Sequence, residues 1–269
     1  MIVAILIGRK GSTGFPGKNL FRLLGRPLAE YPLLAAKNSR YVDRIFLSTD
    51  DQELKDLGCR HEADIIQRPA SLASNSALGE DAYVHAYGEA RKACAQTGSE
   101  LELLVLLMCN AATISSTLID EGVEALRANP GLDSAVSVSR YNMWSPLRAR
   151  KIDPDGLLKP MVPFETFGDP KTLNCDRDSQ GDVWFADMGV SIVRPRCLEM
   201  LHDGLLPQKW MGRAIHPLKQ WGGLDVDYEW QTPGVEFWLR RHGFSEAGTP
   251  YGRSASGRSD DGEEPDSGA

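Results

Sequence analysis

The first group of residues suited to chemistry is a glycine-rich segment near the start of the chain. Residues 8–19 read GRKGSTGFPGKN, and four of the first ten are glycines. Glycine lets the backbone turn sharply and present several N–H groups to one anion. Arg9, Lys10 and Lys18 add positive charge to the same segment. The segment therefore favours binding of a triphosphate, and the alternative is a glycine-rich surface turn.

Two familiar phosphate-binding patterns do not fit this segment. A P-loop has four residues between its first glycine and a Gly-Lys pair, which is followed by Ser or Thr. Here five residues separate Gly11 from Gly17, and Asn19 follows Lys18. A dinucleotide-binding fingerprint needs a helix that begins at the glycines, whereas the Pro-Gly pair at 16–17 predicts an extended loop.

A second group lies near the other end of the chain, where residues 222–230 read GGLDVDYEW. Asp225 and Asp227 alternate along a segment that we expect to be extended, so both carboxylates project from one face. Two neighbouring oxygen ligands of this kind suit Mg²⁺. The alternative is a pair of solvated acidic residues at a strand edge.

These groups need a scaffold, and the hydrophobic pattern predicts an α/β fold with a doubly wound, mostly parallel sheet. Strands alternate with helices along the chain, which implies βαβ crossovers. The predicted strands are 2–7, 43–51, 101–108, 134–140 and 184–195. The predicted helices are 27–39, 51–58, 78–97, 115–129 and 233–242. Ligands of such sheets bind beyond the carboxyl ends of the strands, where the glycine-rich segment lies.

The chain is expected to form one domain over residues 1–244, followed by a tail. Residues 151–182 are rich in Pro, Asp and Gly and weakly periodic, which indicates an inserted arm. Four hydrophobic residues of the arm, Met161, Val162, Phe164 and Phe167, would be covered by a partner or by the domain's own core. Residues 245–269 are almost without apolar side chains and are predicted to be disordered.

Composition excludes several classes of function. A net charge of −7 and a pI near 5.3 argue against a general nucleic-acid binder. No apolar run reaches the roughly 18 residues of a membrane span, and the short run at 2–7 is a strand rather than a signal peptide. Five cysteines without a C-x-x-C pair predict free thiols and a cytoplasmic protein.

The segment at 8–19 resembles the N-terminal signature of the CMP-sialic acid synthetases and of the related cytidylyltransferases for Kdo and other sugar acids. The likeness extends with gaps to about residue 243, through LSTDD at 47–51 and IIQRPASLA at 65–73. In that family an arginine of the second stretch contacts the nucleotide, and Arg68 matches it. The family ends its catalytic core with an Asp-x-Asp pair that holds magnesium, which Asp225 and Asp227 match.

The resemblance implies a Rossmann-like nucleotidyltransferase that uses CTP and Mg²⁺ to transfer CMP to a small acidic acceptor. Arg9 and Lys18 would be the catalytic cations, and Asp225 and Asp227 the metal ligands. The arm at 151–182 resembles the one through which sialic acid synthetases pair, which implies a homodimer. The implied nucleotide-binding residues are Ile7, Gly8, Arg9, Lys10, Gly11, Ser12, Lys18, Asn19, Arg68 and Asn110.

The sequence departs from the sialic acid enzymes where an acceptor would bind. MCNAATISS at 108–116 lacks the Gln and Arg of their Gln-Pro-Thr-Ser-Pro-Leu-Arg-like stretch, and Asn110 stands where several relatives keep a metal-binding aspartate. WFADMGVSIV at 184–193 stands where they carry a run resembling Asn-Gly-Ala. The acceptor therefore stays open between a sialic-acid-like or related 2-keto sugar acid and a small phosphonate. Candidate acceptor contacts are Arg148, Lys159 and Asp187.

Two other classes compete with a transferase. A catalytically silent nucleotide-binding module would be expected to lose the metal pair, yet both aspartates are present. An NAD-dependent oxidoreductase is disfavoured by the spacing of the glycines and by the lack of an acidic residue that ends the second strand, for which Asp50 is the nearest candidate.

Overall fold

A computed structural model describes residues 1–74, 76–178 and 181–252 of the protein. Its strands, numbered along the chain, are β1 (Ile2–Ile7), β2 (Arg22–Leu23), β3 (Arg26–Pro27), β4 (Arg44–Thr49), β5 (Asp64–Gln67), β6 (Leu103–Met108), β7 (Ser134–Arg140), β8 (Arg150–Ile152), β9 (Leu158–Pro160), β10 (Trp184–Val193) and β11 (Ile215–Gln220). Seven of them form one sheet in the order β11-β7-β10-β6-β1-β4-β5. Only β10 in this sheet runs antiparallel to its neighbours. The predicted doubly wound, mostly parallel sheet is confirmed.

Helices connect these strands and cover both faces of the sheet. They are α1 (Glu30–Lys37), α2 (Gln52–Arg60), α3 (Ala70–Ala73), α4 (Gly79–Ala95), α5 (Ser116–Ala128), α6 (Arg196–Glu199) and α7 (Thr232–Arg241). The start of α5 was readable from sequence, because the Ser115 hydroxyl caps it by accepting from the Leu118 N–H. The other connections are short 3₁₀ turns and loops.

The wholly apolar sequence of β1 follows from its place in the middle of the sheet. Ile2, Ala4 and Leu6 pack with residues of α1, α2 and α5 on one face. The alternate residues of β1 pack with α4 on the other face. A strand buried on both sides has no polar position, which is typical of central parallel strands.

Three local predictions needed correction. The helix expected to begin at Pro27 begins at Glu30, because Pro27 pairs in the small β2–β3 hairpin. Helix α2 continues past Gly58 to Arg60. Strands β5 and β11 were missed, because they lie at the two edges of the sheet, where burial is incomplete and the apolar pattern is weak.

The predicted arm is only lightly structured. It contains the β8–β9 hairpin and two 3₁₀ turns, Phe164–Phe167 and Pro170–Thr172. Ile152, Leu158 and Met161 are 73%, 69% and 52% exposed, so the domain's own core does not cover them.

The boundary of the C-terminal tail also needs correction. Residues 245–252 are folded rather than disordered: Ser245 pairs with Gly248, and a 3₁₀ turn spans Pro250–Gly252. The ring of Tyr251 packs edge-on against Phe244. Its hydroxyl accepts from the Ser116 N–H at the start of α5. The rest of the predicted tail, 253–269, lies outside the described residues.

The sequence predicted no membrane span and free cysteine thiols. Across the described ranges, no helix combines the length and the apolar character needed to cross a membrane. The five cysteines are free thiols, with Cys59 and Cys175 exposed and the other three buried.

Candidate active site

The main cleft lies at the carboxyl ends of β1 and β6. The chain leaves β1 toward β4 on one side and reaches β6 on the other, so these two neighbours mark the point where strand order reverses. The cleft has a volume of about 380 Å³. Its lining residues are Ile7, Gly8, Arg9, Ser12, Thr13, Gly14, Lys18, Asn19, Arg68, Leu72, Ala77, Leu78, Gly79, Ala82, Met108, Asn110, Asp227 and Tyr228.

The glycine-rich segment forms the rim of this cleft as a loop of bends and turns rather than the extended segment that its Pro-Gly pair predicted, and the 3₁₀ turn Lys18–Leu20 follows directly. It turns at Gly17, where φ is +73°, a value that glycine adopts without steric cost. The buried Asn19 side chain donates to the Arg9 carbonyl at 3.1 Å. The Lys10 N–H donates to the Asp50 carboxylate at 3.0 Å. The first bond ties the two ends of the loop together, and the second holds its start to the residue that follows β4.

The three cations of the loop have different positions. The Lys18 side chain is 13% exposed and reaches into the cleft. The Arg9 guanidinium also lines the cleft and donates to the Ser74 carbonyl. Lys10 is exposed, and neither Lys10 nor Gly11 lines the cleft. Two of the three predicted cations therefore face the same volume.

Arg68 supplies a further cation to the cleft. Its side chain is 4% exposed, and burial lowers the pKa of the guanidinium. It donates to the Ser48 carbonyl at 2.7 Å and to the Ser48 hydroxyl at 3.3 Å, both neutral acceptors. A buried guanidinium held by neutral partners is well placed to receive an anion.

Of the two aspartates, Asp227 lines the cleft, and Asp225, on the other side of Val226, lies behind that lining beside Asn110. Val226 is fully buried in a cluster with α7, so the two carboxylates project to the opposite side of the extended segment. Asp227 pairs with Lys18 at 2.5 Å. Burial raises the pKa of Asp225, and the nearby Asp227 carboxylate raises it further. The Asn110 amide donates to Asp225 at 3.2 Å and to the Val226 carbonyl at 2.9 Å.

The donor set fits Mg²⁺. The Lys18 ammonium already pairs with the Asp227 carboxylate, so this carboxylate lies where a cation can approach it. Within the described residues no cluster of three His, Cys, Asp or Glu side chains could hold a metal. Mg²⁺ does not need one, because it commonly binds through one or two carboxylates, phosphate oxygens and waters. Asp225 and Asp227 could hold it beside a triphosphate in the cleft.

Comparison with known proteins is consistent with this geometry. Residues 3–142, slightly more than half of the 269, match the family described as Cytidylyltransferase. The chain belongs to the cytidylyltransferase family. The matched range contains β1, the glycine-rich loop, Arg68 and Asn110, and ends just after β7. The pair Asp225 and Asp227 lies beyond it.

Curated relatives come from two groups of cytidylyltransferases. The chain is 26% identical over 61% of its length to the N-acylneuraminate cytidylyltransferase of Escherichia coli O18:K1:H7, of which it covers 35%. It is 29% identical over 52% of its length to the 3-deoxy-manno-octulosonate cytidylyltransferase of Trichlorobacter lovleyi, of which it covers 50%. The chain thus spans half or less of the length of these relatives.

A solved structure shows the same fold. It is that of CMP:2-keto-3-deoxy-manno-octonic acid synthetase in complex with CTP. It superposes with a TM-score of 0.59 at 14% identity and covers 89% of this chain and 98% of that one. At 14% identity the likeness shows the fold alone, which is Rossmann-like.

None of the three predicted acceptor contacts lines the main cleft. Arg148 lines a second cavity, beneath the arm, and donates to the Cys175 carbonyl at 2.6 Å. Lys159, on the β8–β9 hairpin, lies 3.8 Å from the Asp153 carboxylate. Asp187 is 4% exposed and its oxygens accept from Ser137, Gly189, Ser139 and Gln220, and its contact with an acceptor stays a prediction.

Sequence reasoning missed one wall of the cleft. It is formed by Leu72 and by Ala77, Leu78, Gly79 and Ala82 at the start of α4. Leu78 is 57% exposed there. Their residue types carry no chemical signal, and only the packing of α4 beside β1 brings them to the site. The remaining missed residues, Thr13, Gly14, Met108 and Tyr228, lie within two residues of positions that the sequence did identify.

Proposed function

We propose that this protein is a Mg²⁺-dependent cytidylyltransferase that transfers CMP from CTP to a small acidic acceptor and releases pyrophosphate. Family membership supports the class of reaction. One contact carries the assignment to this cleft: Lys18 and Asp227, separated by 209 positions, meet at 2.5 Å. The phosphate-type loop and the acidic pair thus belong to one site.

The chemistry requires positioning and charge neutralisation. The acceptor hydroxyl gives up its proton to solvent as its oxygen forms a bond to the α-phosphorus of CTP, and the bond from that phosphorus to the bridging oxygen breaks, so that its electron pair leaves with pyrophosphate. Lys18 and Arg9 neutralise charge on the departing group. Arg68 holds a phosphate oxygen from the buried side of the cleft. No side-chain nucleophile is needed for a direct displacement of this kind.

Asp225 and Asp227 would hold the Mg²⁺. When bound, the ion supplies charge neutralisation and polarisation at the phosphate oxygens. Lys18 then exchanges its contact with Asp227 for the phosphates, because its flexible stem lets the ammonium swing within the cleft.

We infer that the acceptor is a 2-keto sugar acid, because the two groups of curated relatives are named for N-acylneuraminate and 3-deoxy-manno-octulosonate. The test is pyrophosphate release from CTP and Mg²⁺ with N-acetylneuraminate, 3-deoxy-manno-octulosonate, other 2-keto sugar acids and small phosphonates. Faster release with a sugar acid than without acceptor supports the inference. Release with phosphonates alone would make the acceptor a phosphonate rather than a sugar acid. Release with none of these acceptors would contradict the proposed transferase function.

We also propose that the protein forms a homodimer through its arm. The hairpin residues Ile152 and Leu158 are strongly exposed, and apolar residues so placed are stabilised by a partner surface. Ile152→Ser with Leu158→Ser should convert a dimer to a monomer in light scattering. A wild-type monomer, or a double variant that stays dimeric, would contradict the proposal.

A further inference from the structure

A buried polar cluster lies directly beneath the segment that leads to the acidic pair. At its centre is Asp187, which lies on β10 where the register between β10 and β7 shifts. Its first oxygen accepts from the Ser137 hydroxyl and from the Gly189 N–H. Its second oxygen accepts from the Ser139 hydroxyl at 2.7 Å and from the Gln220 amide at 2.9 Å. Four protein donors thus converge on one buried carboxylate.

Two of these donors connect Asp187 to the backbone that precedes Asp225. Ser139 gives its proton to Asp187 and accepts from the Gly223 N–H at 2.9 Å. Gln220 is the last residue of β11 and donates both to Asp187 and to the Thr113 carbonyl. The carboxylate therefore fixes the segment at its start and again two residues before the first aspartate.

Neighbouring groups complete the hold on this segment. The Leu224 N–H and carbonyl both bond to the Thr113 hydroxyl, at 3.0 and 3.1 Å. The Tyr141 hydroxyl donates to the Gly223 carbonyl at 2.8 Å. Each backbone polar group of residues 223–224 thus has a defined partner, which leaves little freedom for the chain that enters the metal site.

The segment also lies in direct contact with the carboxylate. A Cβ atom added to Gly223 would lie 2.2 Å from the Asp187 oxygen and 2.5 Å from the Gln220 amide nitrogen. Only glycine permits this approach. Burying a carboxylate destabilises the fold unless it is fully hydrogen-bonded. Here all of the bonds of Asp187 connect β7, β10 and the 220–224 segment.

We propose that Asp187 is a positioning residue for the metal site: through Ser139 and Gln220 it fixes the backbone of residues 220–224 and so sets where Asp225 and Asp227 present their oxygens. This rests on the proposed metal-binding role of the aspartates. The relay has a definite polarity. The Ser139 hydroxyl donates its proton to Asp187, so its oxygen accepts from the Gly223 N–H. Asp187→Asn would place an NH₂ group, itself a donor, among these donors and disrupt this arrangement.

Ser139→Ala is the direct test, because it removes the relay and leaves Asp187 with three donors. Ser134→Ala is the matched control: Ser134 is equally buried at the other end of the same strand and donates to the Met211 carbonyl. Asp187→Asn is the stronger variant. The probes are Mn²⁺ affinity measured by electron paramagnetic resonance, with and without CTP, and hydrogen exchange of the peptide at 220–227.

We expect Ser139→Ala to weaken Mn²⁺ binding by about tenfold, as loss of a group that orients metal ligands does. It should also speed exchange at 220–227, while Ser134→Ala changes neither. If Ser139→Ala and a folded Asp187→Asn bind Mn²⁺ as the wild type does, or if Ser134→Ala weakens binding as much as Ser139→Ala, the inference is wrong while the proposed metal site stands. If the wild type itself binds no Mn²⁺, with or without CTP, the proposed metal site fails, and the inference with it.

Discussion

Asp225 and Asp227 take their positions from Val226 between them and from two residues that are distant in the chain. The buried Val226 anchors the segment, while Asn110 and Lys18 each hold one carboxylate. The alternation of the two aspartates was readable from sequence, because it depends only on the twofold repeat of an extended chain. The contact between Lys18 and Asp227 was not, because it depends on how the whole sheet folds. The exposed position of Lys10 also required the structure, since the sequence could not distinguish it from Arg9.

Asp225→Asn should lower transfer on the order of a hundredfold or more, because a neutral amide holds a hard cation less tightly than a carboxylate. Stability should respond in the opposite direction. The pKa of Asp225 is raised in the folded protein, so ionisation of this group destabilises the fold as pH rises through that pKa. The variant should be at least as stable as wild type at pH 7, and the difference should vanish below the ordinary pKa of 3.8. Denaturant unfolding at several pH values, with turnover, measures both. Loss of folding would instead make the residue structural.

Lys18→Ala should reduce turnover by about a hundredfold, the usual cost of removing a group that stabilises developing charge. Lys10→Ala, in the same loop, should have a much smaller effect, because its side chain is exposed and outside the cleft. Steady-state kinetics with CTP compares the two. Equal losses would mean that charge anywhere in the loop suffices, and a normal rate for Lys18→Ala would remove it from the mechanism.

At the scale of elements, the site depends on close contact between the glycine-rich loop and the 222–228 segment. A Cβ atom on Gly14 would lie 2.8 Å from the Asp227 carbonyl oxygen, so no larger residue fits without displacing one segment. The Pro-Gly pair correctly predicted a loop rather than an α-helix at residues 8–17, although not its bends and turns, and most central strands and helices were predicted from their periodicity. The edge strands β5 and β11 and the α4 wall of the cleft were not, because tertiary packing rather than local pattern defines them.

Gly14→Ala should therefore lower activity by roughly tenfold or more, because small displacements of positioning groups are costly in catalysis. The backbone of Gly14 has no positive φ, so alanine adds no conformational strain of its own. Gly88→Ala is the control: it lies within α4 with open space around it and should slightly stabilise the protein. Normal activity in Gly14→Ala would show that the two segments need not touch.

At the scale of the molecule, the sheet and its C-terminal extension form one unit. Tyr251 and Phe244 pack with the cluster that also contains Val226 and Trp238 of α7. The fold class and the position of the cleft followed from the order of strands and helices. The folded stretch 245–252 did not, because a single tyrosine in a polar sequence carries little pattern. Its partners, Phe244 and the start of α5, become visible only in three dimensions.

Deletion of residues 246–269 should lower the free energy of unfolding by roughly 1–3 kcal/mol, through loss of the Tyr251 ring contacts and its hydrogen bond to Ser116. A chain that ends at Gly252 keeps Tyr251 and should match the full chain. Denaturant melts of the three chains decide the point. Equal stability of the chain that ends at Ser245 and the full chain would mean that Tyr251 contributes nothing.

The most direct test of the account follows each phosphate of CTP. The enzyme is incubated with Mg²⁺, the acceptor that supports pyrophosphate release, and CTP labelled with ³²P at either the α or the γ position. The proposed reaction places the α label on the acidic acceptor and the γ label in pyrophosphate, and Asp225→Asn lowers both on the order of a hundredfold or more. Release of the γ label as inorganic phosphate, or CTP binding without transfer of the α label to any acceptor tested, would contradict it.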